Sequence, residues 1–223
     1  MDDGAKDEQE SLAMLRESWR QGVRLMAATP HFYAMREGPE RFLKRRAEAY
    51  ERLVRALEGI EDVPEVKCGA EVKYFDGMSQ VRDLQKMTIG DTGLLLVEMP
   101  FRPWTERMLH EVEGLYDSLG VMPIMAHVNR YKSGRDPNVL TRLQSHGIVI
   151  QANAEFFNDW FARGQALRLM DHGFIQVLGS DCHNMRRRAP NLEKTGDILD
   201  RRYGEKPLRA INHFSIKLWE GVW

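Results

Sequence analysis

The sequence is poor in cysteine: it has two in 223 residues, Cys68 and Cys182, far apart along the chain. Two such thiols form no disulfide framework, and they fit a reducing compartment. It also lacks an excess of either charge. Lys and Arg number 32 against 33 Asp and Glu, for a net charge of −1. A nucleic-acid binder usually carries a basic excess, so no nucleic-acid partner is expected. The local cluster Arg186-Arg187-Arg188 reads as a solvated face. No run of about 18 apolar residues occurs, so a membrane-embedded chain is not expected. The start, Met1-Asp2-Asp3-Gly4, is acidic and polar and does not read as a signal peptide. A cytoplasmic location is the expectation. No linker, low-complexity stretch or solenoid repeat divides the chain, so a single domain over 1–223 is expected. Glycine-rich phosphate loops are absent too, with no Walker pattern, no GxGxxG and no GxSxG.

Hydrophobic residues make up 43% of the chain, enough for one sizeable core. They are arranged in alternating periods. Leu12, Leu15, Trp19 and Val23 recur at helical spacing and predict a helix over 7–21, ended by Gly22. Arg24–Thr29 then reads as a buried strand that stops at Pro30-His31. The grammar repeats. Helix 40–58 precedes a strand over Val66–Tyr74. A short helix near 79–87 precedes the strand Leu94–Val97, which ends in Glu98. Helix 103–119, with Pro103 near its first turn, leads to strand Pro123–Ala126 and His127. Helix 137–146, strand Ile148–Ala152, a helix near 158–172 and strand Phe174–Leu178 follow. Ser180-Asp181-Cys182-His183 closes the last strand, and 191–219 is mostly helical. The strands are continuous apolar runs, as in parallel sheets covered on both faces. This pattern fits an open doubly wound sheet or a (β/α) barrel. The chain gives six strands and is short for an eight-stranded barrel of about 200–250 residues or more.

Seven histidines are present, four of them on predicted helices, where surface or packing roles are expected. His31, His127 and His183 each sit just beyond a buried strand. Glu71 and Glu98 lie in or at the end of apolar strands, and Asp181 ends the last. A carboxylate buried there is costly unless paired or bound to a metal. Taken alone, Glu98 reads as a structural ion pair. Six such residues at the ligand-binding end of successive parallel strands instead read as a metal site. Imidazole and carboxylate together suit Zn²⁺, Mn²⁺ or Fe, and several carboxylates allow ions to be bridged. With no phosphate loop, any phosphate would be held by metals and arginines. Arg130 and Arg188 lie close enough in sequence to His127 and His183 to act as a clamp. Cys182 to Arg188 also satisfies C-x5-R, a cysteine-phosphatase pattern. That loop holds no glycine and several bulky residues, and the pattern is short enough to arise by chance. Cys182 is read as a small buried spacer.

In order along the chain stand Asp2-Asp3-Gly4-Ala5, Ala28-Thr29-Pro30-His31, Gly69-Ala70-Glu71, Val97-Glu98, Ala126-His127-Val128-Asn129-Arg130-Tyr131 and Ser180-Asp181-Cys182-His183-Asn184. The set resembles the bacterial CpsB/CapC-type tyrosine-protein phosphatases of the PHP (polymerase and histidinol phosphatase) superfamily, over essentially the whole chain. The resemblance implies a (βα)7 TIM-like barrel with up to three divalent ions. Mn is the leading candidate, with Fe, Zn, Co or Mg as others. It implies Asp3, His31, Glu71, Glu98, His127, Asp181 and His183 as metal ligands, with Arg130 and Arg188 binding phosphate. The substrate it implies is phosphotyrosine on a protein, a tyrosine autokinase that controls capsule or exopolysaccharide assembly. Two alternatives stand beside this: a phosphatase for a small ester such as histidinol phosphate, and a degenerate non-catalytic binding domain. The chain departs from the family in one large respect. The family opens with a strand carrying His-x-His, whereas this sequence starts at Asp2-Asp3-Gly4. The first strand and two ligands are expected to be missing, with Met1 an internal methionine taken as the start. Val128-Asn129 is a smaller departure, since an acidic residue often precedes the arginine in the family.

Overall fold

The computed structural model describes residues 1–223. In chain order the elements are α1 (Glu8–Arg20), β1 (Leu25–Ala28), β2 (His31–Phe32), α2 (Pro39–Ala56), β3 (Glu65–Cys68), β4 (Glu71–Lys73), β5 (Leu94–Glu98), α3 (Glu106–Leu119), β6 (Met122–Met125), α4 (Pro137–Ser145), β7 (Val149–Asn153), α5 (Ala154–Asn158), α6 (Arg163–Asp171), β8 (Val177–Gly179), α7 (Leu192–Tyr203) and α8 (Glu205–Trp219). All strand pairs are parallel. Six strands run in the order β2-β4-β5-β6-β7-β8, and β1 pairs with β3.

The first two strand positions of the wall are each broken in two. Pro30 separates β1 from β2. Gly69 and Ala70 separate β3 from β4, where a Cβ on Gly69 would lie 3.1 Å from Ile89 Cα. Pairing survives the break, because Gly69 N–H donates to Ala28 O (2.9 Å) and Glu71 N–H to Pro30 O (3.0 Å). The expected single strand over 66–74 is therefore two short strands in line. Two helix boundaries also differ from expectation. Helix α3 starts at Glu106, since Thr105 caps it by accepting the Met108 N–H at 3.3 Å, and Pro103 precedes it. The helix expected near 158–172 is α6 and starts only at Arg163, because Asp159 accepts from the N–H groups of Phe161 (2.7 Å) and Ala162 (2.9 Å) in a turn; α5 before it was not expected. The short helix near 79–87 is a pair of 3₁₀ turns, Met78–Gln80 and Arg82–Met87.

Side chains of β5 alternate between two apolar layers, as the two-residue period of a strand requires. Leu95 and Val97 join the large core under the helices. Leu94 packs with Met122, Ile124 and Val149 on the other face, with Leu96 partly buried against them. Pro123 lies in a central strand without cost. Its neighbours Met122 and Ala126 donate to Gly93 O (2.9 Å) and Val97 O (3.0 Å) of the β5 side. Pairing with β7 begins only at Ile124, so no partner waits for the missing proline N–H.

The sheet does not close. β2 and β8 are its edges, and a closed (βα)7 barrel is not what the strand pairing forms. A cavity of about 430 Å³ is walled by β1, β5, β6 and β8 through Leu25, Ala27, Leu96, Ile124 and Leu178, and its lining extends to His31, Glu71, His127, Asp181 and His183. β5, β6 and β7 are almost wholly buried, whereas β1 and β8 are half-buried or more open. The expectation of strands covered on both faces thus holds for the middle of the sheet and not for its ends.

Candidate metal centre

The C-terminal ends of the strands share one rim, and the N-terminal segment reaches it. Asp2 seats that segment, its carboxylate accepting the N–H groups of His31 (2.7 Å) and Gly4 (3.1 Å). Burial pushes the Asp2 carboxyl up, and these N–H groups more than offset it, so it stays below the usual range. Asp3 then stands beside two imidazoles, its Oδ1 3.6 Å from His31 Nε2 and 3.3 Å from His183 Nε2. On the other side of His31, Nδ1 lies 3.6 Å from Glu71 Oε1. His127 Nε2 lies 3.0 Å from that same oxygen and 4.0 Å from Glu98 Oε1. Glu71 and Glu98 are each only 6% exposed.

Two groups of side chains bring their donor atoms within 4.8 Å of one another: Asp3 with His31 and His183, and His31 with Glu71 and Glu98. Three observations fit them to divalent cations. His31 Nδ1 is buried with no hydrogen-bond partner. The two buried glutamates have one lysine between them, Lys73, whose Nζ lies 3.0 Å from Glu98 Oε2. The donors are imidazole nitrogen and carboxylate oxygen, which suit Mn, Fe, Co or Zn.

His127 and Asp181 adjoin these groups. The Asp181 carboxylate is gripped by Arg130 on Oδ2 and by Arg188 on Oδ1 at 2.6 Å, and His183 Nδ1 lies 3.7 Å away. Arg188 also reaches Asp3 Oδ2 at 3.5 Å. Burial pushes the Asp181 carboxyl up, but the two guanidinium groups outweigh it and hold it below its ordinary range. His127 and Asp181 are also the two non-glycine residues with positive φ, at 33° and 52°. That conformation costs an L-residue about 1–2 kcal/mol, and such strain gathers at functional sites.

A family model described as capsular polysaccharide synthesis, CpsB/CapC, matches residues 1–215. The chain belongs to the CpsB/CapC family. Tyrosine-protein phosphatase CpsB of Streptococcus pneumoniae is 28% identical over 222 residues, 95% of this chain and 90% of that protein. Tyrosine-protein phosphatase YwqE of Bacillus subtilis (strain 168) is 28% identical over 224 residues, 92% of this chain and 82% of its own. The crystal structures of YwqE and S. pneumoniae CpsB, described as unique metal-dependent tyrosine phosphatases, include a chain that superposes with a TM-score of 0.84. Identity there is 25%, covering 100% of this chain and 91% of that one.

Around the rim of this CpsB/CapC chain stand four residues to which the sequence assigned no role, Tyr131 among them although it stands in the His127 motif. Asn153 Nδ2–H donates to Asp181 Oδ2 at 2.9 Å. Gln151 accepts the His127 N–H and donates to Asn153 Oδ1 at 3.0 Å. The Tyr131 hydroxyl lies 2.9 Å from His127 Nδ1 and fixes the ring's orientation. Burial pushes the Tyr131 phenol up, so it stays neutral. Lys73 completes the set. Gln151 and Asn153 had a readable signal: two polar residues at period two in an otherwise apolar strand. Cys182 behaves as a spacer. Burial pushes its thiol up, opposite to what a nucleophilic thiolate needs.

Proposed function

We propose that the chain is a metal-dependent phosphomonoesterase that removes phosphate from tyrosine on a protein substrate. The observation that carries this is the juxtaposition of an imidazole–carboxylate cluster with two arginines on one open rim. Asp3, His31 and His183 would hold an ion; Glu71 and Glu98 lie beside them, also within reach of His31, and would serve a further ion, with His127 and Asp181 at the margins. Divalent ions, when bound, supply Lewis acidity for hydrolysis at phosphorus. The chain supplies the rest. Arg130 and Arg188 offer paired N–H donors that match phosphoryl oxygens in charge and spacing. Lys73 neutralises Glu98, and Tyr131 holds the His127 ring in place.

The finer assignments belong to the same proposal. Manganese is the preferred ion, the substrate is a tyrosine autokinase of capsule or exopolysaccharide assembly, and the location is cytoplasmic. The molecule is one domain, read as a (βα)7-type barrel wall with one strand position open. The resemblance of its ordered motifs and the names of its relatives support these assignments.

The test is hydrolysis of a phosphotyrosine peptide with added Mn²⁺, with and without EDTA. Activity that EDTA abolishes and Mn²⁺ restores is the expected result. Replacing Arg130 or Arg188 by Ala is expected to lower kcat/KM by about 10²–10³-fold. Activity indifferent to EDTA, or lost only in Cys182→Ser, would overturn the metal reading.

A further inference from the structure

We propose that Phe101 is a specificity residue, the wall on which the aromatic ring of an aryl phosphate ester rests. The proposal rests on the phosphomonoesterase reading and concerns which esters that site prefers.

Phe101 lies three residues past Glu98 on the rim, and it is 67% exposed. A single exposed apolar ring is ordinary by itself; what distinguishes this one is its attachment to the polar centre. Two contacts tie it to the centre. Lys73 Nζ lies 4.9 Å from the Phe101 ring centroid and 3.0 Å from Glu98 Oε2. The Tyr131 ring packs against Phe101 at 5.3 Å, and its hydroxyl meets His127 Nδ1 at 2.9 Å. One lysine and one tyrosine therefore separate this ring from two of the candidate ligands.

The loop that carries Phe101 is fastened. Trp104 Nε1–H donates to Pro100 O at 3.3 Å, and Trp104 N–H donates to Ser133 Oγ at 3.1 Å. The Trp104 ring packs on Tyr131 at 5.3 Å. The wall is thus set before a ligand arrives, so little ordering cost opposes stacking. Other exposed aromatics lack this link. Trp160 is 77% and Phe161 95% exposed, and the ring contact of Trp160 is with Arg163.

The probes are phenylphosphonate, which carries the ring and resists hydrolysis, and inorganic phosphate, which has no ring. Binding of each is measured by calorimetry on the Mn²⁺-loaded full chain. The native protein is expected to favour phenylphosphonate by about threefold to tenfold, the range of an aromatic contact. Phe101→Ala is expected to bring that ratio close to one while phosphate affinity holds, and Phe101→Tyr to keep it. Phe101→Leu retains apolar packing on Tyr131 and is expected to lose most of the preference, which secures the test if the alanine variant folds poorly. A preference that survives in both the Ala and Leu variants would overturn the proposal, as would a native protein with no preference. So would a loss of phosphate binding equal to the loss of phenylphosphonate binding. A native protein that binds neither anion overturns the phosphomonoesterase reading itself, whereas losing only the ring preference leaves that reading standing.

Discussion

Asn153 holds Asp181 from one side while Arg130 and Arg188 hold it from two others. Its amide donates to the same oxygen that Arg130 grips, and Gln151 fixes the amide in turn. Partners of this kind set the orientation of a ligand, and removing one typically weakens metal affinity by about 10–100-fold. Asn153→Ala is therefore expected to raise the Mn²⁺ dissociation constant by about that factor, read by titration calorimetry, and to lower stability without metal by about 1–3 kcal/mol, since Gln151 Nε2 loses its partner. An unchanged Mn²⁺ affinity would remove Asn153 from the site. Glu71, Glu98 and Asp181 were legible because a charge in or at the end of an apolar strand demands an explanation, whereas Asp3 was legible only through the family resemblance. Asn153 and Gln151 are neutral, and their period-two spacing in an apolar strand marks one face without naming a partner. Their role depends on which strand neighbours Asp181, and sequence order does not reveal that.

Where α1 ends, its last turn is joined to the start of α7. Glu17 accepts from Arg20 (2.8 Å) and Gln21 (2.7 Å), and Arg20 reaches Glu193 at 2.9 Å. The hydrogen bonds from Arg20, then from Gln21, lower the Glu17 carboxyl from 4.5 to about 2. A depressed carboxylate stabilises the fold above its unfolded pKa and loses that contribution as pH falls through the folded value. Glu17→Gln is thus expected to be less stable than the native chain at pH 7, by about 1 kcal/mol or less for so accessible a pair. The gap should close between pH 4.5 and about 2, as read from urea midpoints at several pH values. A gap that is constant with pH would mean the amide harms packing rather than charge. At this scale the order of strands and helices was readable from hydrophobic period. The breaks were not. Asp159 divides a helical stretch by capping two N–H groups, and Gly69 divides a strand because Ile89 stands against it. Both depend on contacts that periodicity does not encode.

Across the whole molecule, the open position between β1 and β8 governs how evenly stability is distributed. Strands β5 to β7 have neighbours on both sides, and β2 and β8 have one. Local opening is easiest where few buried contacts oppose it. Backbone amides of β1 and β8 are expected to exchange with deuterium well before those of β5, β6 and β7. Uniform protection across the sheet would mean that the edges are covered in solution. The six strand positions could be counted in the sequence, but neither the break of the first two into separate strands nor the failure to close could be read there. Closure depends on how the two edges meet, and no local pattern records that.

Asp3 lies 3.3 Å from His183 and 3.5 Å from Arg188. Asp3 and Arg188 stand 185 residues apart along the chain. A ribosome adding about 5–20 residues per second needs roughly 10–40 s to travel between them. Throughout that time Asp3 has emerged without these partners, and a chain halted before His183 would hold the group of His31, Glu71 and Glu98 but not that of Asp3, His31 and His183. Closure of the Asp3 group thus waits until His183 and Arg188 have been made and are folded back against it.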